Sequence, residues 1–355
     1  MPTSAYLPVL ELTRGEVVES IHFGAFTVVD RHGNLVAAHG DPNLVTFLRS
    51  SSKPFQALPF VEAGGAERWD FSPKEIAILC ASHTGTDDHA NTLSGMQAKI
   101  QVGPDDLLCG THMPIDGETH RFFIRNDAEP TPNRHNCSGK HTGMLAFARL
   151  KNLPIADYIN PQHPIQIEIL RSFSEICGVD PDRVAMGTDG CSAPNFAIPL
   201  HNAALGFARL CDPRDLPPAR AVACRKITAA MTAHPEMIAG PGKFDTRLMQ
   251  ATGGKIVSKG GAEGYQSVGI MPGAIAAGSP ALGISIKVSD GDLRGRARPA
   301  VTLEILRQLG AITPQELQAL AEFGPVIPLY NFRQIHVGDA RPSLEIKPLA
   351  LEPGA

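Results

Sequence analysis

The chain of 355 residues lacks a dense cysteine pattern. Its seven cysteines are an odd number and widely spaced, and the first residues show no basic segment followed by an apolar one. These cysteines are Cys80, Cys109, Cys137, Cys177, Cys191, Cys211 and Cys224. In a chain without an export signal, such a set indicates reduced thiols or metal ligands rather than a disulfide framework.

Long apolar runs and blocks of like charge are also missing. No stretch approaches the roughly 20 apolar residues that a membrane helix needs, because Gly, Ser and Pro interrupt the longer apolar pieces. The formal net charge of −4 is small, which disfavours nucleic acid or an anionic membrane as a partner. We therefore expect a soluble, cytoplasmic protein that binds neither.

What is present supports a folded α/β protein. With 43% hydrophobic and 19% charged residues, the chain can bury a full core. Strand-like patterns cluster near both ends of the chain, whereas helical patterns dominate the middle. Residues 74–83 fit either a strand or a buried helix. We predict one α/β catalytic domain over 1–355, with a mixed sheet flanked by helices and a mainly helical subdomain inserted at roughly 50–235.

A serine three residues ahead of a lysine occurs in RSSSKPFQ, as Ser50 and Lys53. About one such match is expected by chance in a chain of this length, so the motif alone is weak evidence. At the start of a helix, residues three apart lie on the same face, and a neutral lysine there can take the proton of the hydroxyl. This spacing selects Ser50 and leaves Ser51 and Ser52 as first-turn residues. Pro54 disfavours helical backbone at Lys53 and predicts an irregular first turn.

Two cysteines lie in glycine-rich polar turns, Cys137 in NCSGKH and Cys191 in GTDGCS. Thiolates in such turns could bind a soft metal such as zinc, or the two residues could simply be buried thiols. No C-x-x-C spacing is present, and among nearby residues His141 is the third ligand that residue chemistry favours.

Two further stretches contain polar groups next to predicted strands or helices. In CASHTG, Ser82 and His83 fit either a polar turn or a functional pair, and His83 is either structural or directed at a substrate. In VSKGGAEG, Lys259 and Gly260 fit a simple hairpin. They also fit a lysine at a strand edge, followed by glycines that let a substrate approach the backbone.

Taken together, these stretches closely resemble the class 3, Rhizobium etli-type L-asparaginases, also called the asparaginase II family. The matching motifs are RSSSKPFQ, CASHTG, NCSGKHTGML, GTDGCSAPN, KGGAEG and GISIKVSDGDLRGRA. They occur in the family's order and span roughly residues 5–300, so the resemblance covers most of the chain. The region after about residue 310 contains no motif that we can interpret.

The resemblance implies a serine β-lactamase/glutaminase-like fold, a homodimer and two catalytic Ser–Lys pairs, Ser50–Lys53 and Ser82–Lys259. It also implies a zinc ion that is not directly catalytic, bound by Cys137, Lys140 and Cys191. A lysine ligand must be neutral, so we expect a depressed pKa at Lys140. The remaining pocket residues implied or suggested by the motifs are Arg49, His83, His141, Asp189 and Gly260.

The resulting hypothesis is hydrolysis of L-asparagine to L-aspartate and ammonia through a serine acyl-enzyme. Lys53 would activate Ser50, and Ser82 with Lys259 would pass a proton to the leaving ammonia. Three alternatives stay open at this point. They are a related glutaminase-like serine amidohydrolase, direct catalysis by zinc-bound hydroxide, and a zinc-binding protein without enzymatic activity.

Overall fold

The computed structural model describes residues 4–346. The outermost residues of the predicted domain, 1–3 and 347–355, lie outside this range. The described chain divides into two compact units. The first contains the residues up to Ser51, Ile198–Asp212 and the residues from Ala251 onward, and the second contains Ser52–Ala197 and Pro213–Gln250. This division does not test the prediction of a single domain with an insertion at roughly 50–235, which stays a prediction.

The strands and helices alternate unevenly along the chain. The strands are β1 (Leu7–Arg14), β2 (Val17–Asp30), β3 (Leu35–His39), β4 (Val45–Phe47), β5 (Ala185–Thr188), β6 (Pro194–Pro199), β7 (Ile256–Gly261), β8 (Tyr265–Ile270), β9 (Leu282–Val288), β10 (Ile327–Tyr330) and β11 (His336–Pro342). The helices up to Cys177 are α1 (Lys53–Glu62), α2 (Gly65–Arg68), α3 (Pro73–Leu79), α4 (Asp87–Ile100), α5 (Gly117–Arg125), α6 (Ser138–Leu150) and α7 (Pro164–Cys177). The later helices are α8 (Leu200–Cys211), α9 (Pro218–Ala233), α10 (Pro235–Ala239), α11 (Phe244–Ala251), α12 (Ala297–Gln308) and α13 (Pro314–Gln318).

The first unit is built on a sheet in the order β10-β11-β1-β2-β9-β8-β7, with β3 also paired to β2. Every pairing in this sheet is antiparallel, including those of β1 with β11 and of β2 with β9, which join strands far apart in the chain. At the β2–β3 turn, the Asp30 carboxylate accepts hydrogen bonds from the backbone N–H groups of His32 and Asn34 at 2.8 and 3.0 Å. This sheet is therefore antiparallel, whereas we predicted a mixed sheet. The α/β class itself agrees with the prediction.

Helices α8 and α12 cover opposite faces of this sheet. A Cβ atom at Gly283 in β9 would lie 1.8 Å from the carbonyl oxygen of Ala204 in α8, so only glycine allows this close approach. Gly283 is paired with Gly269 in β8, and Gln266, three residues earlier in β8, projects from the other face. There its side-chain oxygen accepts a hydrogen bond from Arg298 of α12. Strands β8 and β9 are therefore buried on both faces.

The second unit is mainly helical, and α1 lies at its centre. Helix α1 packs against α6, α7 and α9, and nine of its ten residues are buried. Phe55 of α1 meets Phe173 of α7 edge-on with ring centroids 5.9 Å apart. Strands β5 and β6 pair antiparallel in this unit, from Ala185–Ala197 to Thr188–Pro194. This packing fixes the first turn of α1, where Lys53 lies.

Several elements agree with the sequence patterns and others had not been identified. The α/β class is confirmed, with strands near both chain ends. Residues 74–83, which fit either a strand or a helix, contain α3, and its capping box joins Ser72 to Glu75. Helix α8 and the hairpin β10–β11, which extends the sheet beyond residue 310, had no sequence motif. No helix among residues 4–346 is long and apolar enough to cross a membrane.

Candidate active site

The serine run begins in a 3-10 turn over Arg49–Ser52 that leads directly into α1 at Lys53. Pro54 lies in the first turn of α1, where the helix needs no backbone N–H, and this reconciles the proline with a helical start at Lys53. Ser51 is fully buried, and its hydroxyl donates a 2.6 Å hydrogen bond to the carbonyl oxygen of Lys259. Ser51 therefore has an anchoring role that the sequence pattern did not indicate.

The side-chain nitrogen of Lys53 is buried and surrounded by hydrogen-bond acceptors. It donates to the carbonyl oxygen of Ala81 at 2.5 Å, to Ser82 Oγ at 2.9 Å and to Cys137 Sγ at 3.2 Å. Only 1% of the Lys53 surface is exposed, whereas Ser82 is half-buried. The structure thus brings together a predicted catalytic lysine, a predicted catalytic serine and a predicted metal ligand.

The ends of two helices border this site. Helix α3 ends at Leu79, shortly before Ser82, and α6 begins at Ser138 with Cys137 in the N-cap position. A Cβ atom at Gly139 would lie 2.0 Å from the carbonyl oxygen of Ile78. Glycine at this position therefore lets the start of α6 approach the end of α3.

The residues Lys53, Cys137, Lys140 and Cys191 form what we call the thiol–lysine cluster. Lys140 Nζ donates to Cys191 Sγ at 3.0 Å, and all four side chains are buried. A hydrogen bond from Cys191 lowers the pKa of Cys137 well below its ordinary value, and the nearby charges of Lys53 and Lys140 add to this effect against burial. The same hydrogen bond and burial raise the pKa of Cys191. Cys137 is thus the thiolate of the pair.

Lys140 differs from the expectation of a depressed pKa. Burial disfavours its charged form, but the Cys191 and Cys137 side chains offset this penalty and raise the pKa of Lys140. Before a metal binds, Lys140 is therefore an ammonium group paired with sulfur. The sequence expectation came from the need for a neutral metal ligand and did not consider the effect of the two neighbouring thiols on the metal-free lysine.

The donor set of the cluster fits a zinc ion. Two sulfur atoms and one amine converge in a buried position, and soft sulfur with nitrogen is a set that zinc prefers. Cys137, Lys140 and Cys191 would hold the ion once Lys140 and Cys191 release their protons. Among residues 4–346, no three Cys, His, Asp or Glu side chains come together as a metal site.

His83 lies beneath the site rather than on its surface. It is fully buried; its Nδ1 accepts from the backbone N–H of Gly85 at 3.1 Å and its Nε2 lies 2.9 Å from Ser138 Oγ. Its ring stacks on His89 with centroids 4.8 Å apart, and we call these two residues the histidine pair. Burial, reinforced by His89, lowers the pKa of His83 well below its ordinary value, so the ring is neutral.

His141, in the first turn of α6, is also fully buried. Its Nδ1 lies 2.6 Å from the hydroxyl of Tyr158, and its Nε2 has no hydrogen-bond partner within residues 4–346. Burial lowers the pKa of His141 to about 4, although the Cys191 side chain acts in the other direction. His141 is therefore a neutral ring beside the thiol–lysine cluster. No sequence pattern indicated the role of Tyr158.

Of the other predicted pocket residues, Arg49 and Asp189 lie in turns and Gly260 lies in β7. Arg49 adopts a left-handed backbone conformation with φ of 50°, and its guanidinium lies 3.9 Å from the carboxylate of Glu263. Asp189 is half-buried in the turn before Cys191, and its carboxylate accepts from the backbone N–H of Gly190 at 2.9 Å. The carbonyl oxygen of Gly260 accepts from Lys259 Nζ at 2.7 Å.

Lys259 is the buried end of a polar row in the first unit. It pairs in register with Ser267 of β8, which pairs with Ser285 of β9. The two serine hydroxyls lie 3.2 Å apart, and all three side chains are at most 1% exposed. Side chains opposite each other in antiparallel strands share one face, so these polar groups lie on the same face of the sheet.

The predicted catalytic residues belong to both units. The division between the units falls after Ser51, inside the serine run, so Ser50 and Lys259 belong to the first unit and Lys53 and Ser82 to the second. The pairs Ser50–Lys53 and Ser82–Lys259 therefore stay predictions. Within the second unit, Lys53 and Ser82 are hydrogen-bonded.

Comparison with known proteins identifies a family. A family model described as L-asparaginase II matches residues 10–342, which is most of the chain. The search of curated proteins found no match.

Solved structures with partial likeness to this chain are glutaminases. A probable glutaminase from Bacillus subtilis complexed with 6-diazo-5-oxo-L-norleucine is 12% identical, with a TM-score of 0.38 over 81% of this chain and 84% of its own. A Bacillus glutaminase crystallised at high NaCl is 13% identical, with a TM-score of 0.39 over 80% of this chain and 90% of its own. With scores this low, the fold is described by its own sheet and helices.

Proposed function

Because the chain belongs to the L-asparaginase II family and is therefore an amidohydrolase, we propose that it hydrolyses L-asparagine to L-aspartate and ammonia. The observation that supports serine chemistry most directly is the buried side chain of Lys53, whose Nζ lies 2.9 Å from Ser82 Oγ. An amide carbon is a poor electrophile, and a hydroxyl becomes a competent nucleophile when a neighbouring base removes its proton. A lysine is such a base when it is neutral.

In the proposed acylation step, Ser50 is the nucleophile. Neutral Lys53 takes the proton of Ser50, and the serine oxygen forms a bond to the side-chain amide carbon of asparagine. Backbone N–H groups stabilise the negative oxygen of the tetrahedral intermediate. The carbon–nitrogen bond then breaks, and Ser82, with Lys259, delivers a proton to the departing amine, which leaves as ammonia. In deacylation, water attacks the β-aspartyl ester, the same groups act in reverse, and Ser50 regains its proton.

A second assignment of the nucleophile follows from the same hydrogen bond. Lys53 contacts Ser82 directly, so Ser82 could attack the amide, with Lys53 as its base. Because its side chain is half-buried, Ser82 is accessible enough for this role. In both assignments Lys53 handles the proton, and the two assignments differ only in which serine forms the ester.

Zinc has a supporting role in this proposal. Held by Cys137, Lys140 and Cys191, it would supply positive charge that attracts a polar end of the substrate. Lys53, which contacts Cys137, is the member of the thiol–lysine cluster that takes part in the proton transfer. Direct catalysis by zinc-bound hydroxide instead predicts that Cys191→Ala abolishes turnover while Ser50→Ala does not.

The decisive experiment traps the ester and locates it. The wild-type enzyme, Ser50→Ala, Ser82→Ala and, as an exposed control, Ser20→Ala are mixed with asparagine, quenched in acid and analysed by peptide mass spectrometry. We expect an aspartyl adduct on the peptide containing Ser50, loss of both adduct and ammonia release in Ser50→Ala, and wild-type behaviour in Ser20→Ala. An adduct on Ser82 that persists in Ser50→Ala would establish the second assignment. Full activity in both active-site variants would refute serine catalysis.

Substrate and assembly are tested separately. Ammonia release from asparagine and from glutamine at equal concentrations separates an asparaginase from a glutaminase-like enzyme, and faster release from glutamine would overturn the substrate assignment. The proposal also includes a homodimer, as the sequence resemblance implies. Sedimentation of the full chain at several concentrations measures that state, and a single monomeric species would contradict it.

A further inference from the structure

Tyr158 connects the backbone to His141 by two hydrogen bonds. The backbone N–H of Leu108 lies 2.8 Å from Tyr158 Oη, and Oη lies 2.6 Å from His141 Nδ1. Both side chains are completely buried, and their rings meet edge-on with centroids 5.5 Å apart. Water does not compete for these bonds, so their polarity can be derived from the hydrogens that each group has.

The backbone N–H of Leu108 can only donate, so it occupies one lone pair of Tyr158 Oη. The phenol hydrogen then needs an acceptor, and His141 Nδ1 is the acceptor within reach in residues 4–346. If Nδ1 instead had a hydrogen, in the other tautomer or in the imidazolium, the phenol hydrogen would be buried without a partner. A buried donor without an acceptor destabilises the folded state. The hydrogen of the neutral ring is therefore on Nε2.

The other nitrogen of the ring, Nε2, lies at the thiol–lysine cluster. It is buried without a hydrogen-bond partner in residues 4–346, and the electrostatic influence of Cys191 on the ring makes this side chain a near neighbour of His141. A nitrogen that has a hydrogen has no lone pair for a metal ion, but it can donate to a sulfur atom. One residue earlier on α6, Lys140 Nζ contacts the same Cys191 sulfur at 3.0 Å.

We propose that Tyr158 holds His141 as an Nε2–H donor toward Cys191 and thereby excludes His141 from the metal's ligands, leaving the nitrogen position to Lys140. Tyr158 is a positioning residue that acts through His141. This inference rests on the proposed metal site. It states that Tyr158, in the loop before α7, determines which of two adjacent residues, Lys140 or His141, supplies the nitrogen ligand.

The tautomer is measured directly on the metal-free protein. In protein with ¹⁵N-labelled histidine, two-bond ¹H–¹⁵N correlation spectra distinguish Nε2–H from Nδ1–H rings, and His141→Gln identifies the signal. We expect the Nε2–H pattern for His141 in the wild type and a shift toward Nδ1–H in Tyr158→Phe. An Nδ1–H ring or an imidazolium in the wild type at pH 7 would overturn the proposal, and this result requires no variant at position 158.

Metal binding provides a rescue test. Co²⁺ alone is titrated into each protein, and its absorption bands report binding. We expect Lys140→Met to weaken Co²⁺ binding by about 100-fold or more, since loss of an outer partner already costs about 10–100-fold. Adding Tyr158→Phe should recover at least about tenfold of that loss, because the freed Nε2 can then bind the metal. Tyr330→Phe, at an exposed position, should recover none.

The recovery should disappear again when His141→Gln is added to the double variant. Equal Co²⁺ binding by Lys140→Met with and without Tyr158→Phe would overturn the proposal. These readouts need no hydrolysis, so they remain valid if asparagine proves not to be the substrate. Failure of Ser50→Ala to lose activity, in contrast, would affect only the proposed reaction.

Discussion

The thiol–lysine cluster and the histidine pair are two buried basic regions of the same helical unit, and they differ in charge. Lys140 has two sulfur neighbours that raise its pKa, whereas His83 has a histidine neighbour, and burial lowers its pKa. Both side chains are almost entirely inaccessible to solvent. Burial alone therefore does not decide the charge of a basic group, because the nature of its neighbours does.

Among the buried basic groups, Lys53 is the one whose substitution should have the largest effect on activity. Lys53→Met keeps the length of the side chain but removes the group that contacts Ser82 and Cys137. We expect kcat for asparagine to fall by about 10²–10⁴-fold, the range for loss of a general base. Lys226→Met, at an exposed surface position, is the control and should retain wild-type kcat. If the kcat of Lys53→Met stayed within a few-fold of the wild-type value, the buried Lys53 side chain would have only a structural role.

Lys140 tests the sulfur side of the same cluster. We expect Lys140→Met to lose bound zinc during purification, while the protein remains folded, because the uncharged side chain fills the same buried space. Zinc content by atomic emission and the far-ultraviolet circular dichroism spectrum measure the two effects. Lys151→Met, an exposed lysine at the end of α6, should keep its metal. Full zinc occupancy in Lys140→Met would exclude lysine as a ligand.

The histidine pair predicts acid sensitivity. The unfolded chain binds a proton on each histidine below about pH 6.5, whereas the folded protein keeps His83 neutral to a lower pH. Stability should therefore be constant above pH 6.5 and fall below it, by up to about 1.4 kcal/mol per pH unit for each such ring. Urea unfolding between pH 7.5 and 5 measures this slope.

His83→Gln should make that slope shallower by up to one proton while lowering stability at pH 7.5. Ser138→Ala, which removes the hydroxyl partner of His83 and leaves the ring in place, should lower stability by about 1–3 kcal/mol without changing the slope. An unchanged slope in His83→Gln would mean that other groups take up the protons.

The sequence predicted elements better than contacts. The strand-like patterns near both chain ends agree with β1–β3 and β7–β9, and the helical patterns of the middle agree with α1–α7, because such signals are local. The hairpin β10–β11 escaped prediction since its residues join the sheet beside β1, more than 300 positions earlier in the chain. Pairing over such a separation leaves no pattern in either segment.

The candidate site shows the same limit. Motifs indicated which residues gather at the site, and Lys53, Ser82, Cys137, Lys140 and Cys191 do lie together in the second unit. The sequence could not indicate that Lys53 contacts Ser82, that His83 has both nitrogens engaged, or that Tyr158 bonds to His141. These facts depend on the direction in which each side chain points, which only packing determines.

Gly139 has a consequence for how the site tolerates mutation. A methyl group at this position would collide with the carbonyl oxygen of Ile78 and push the start of α6 away from the end of α3. The distance from the Cys137 sulfur to the hydroxyl of Ser82, bridged by Lys53, is therefore set in part by a side chain of one hydrogen atom. In a mutational scan, a position with no functional group of its own should be as intolerant as the residues that perform the chemistry.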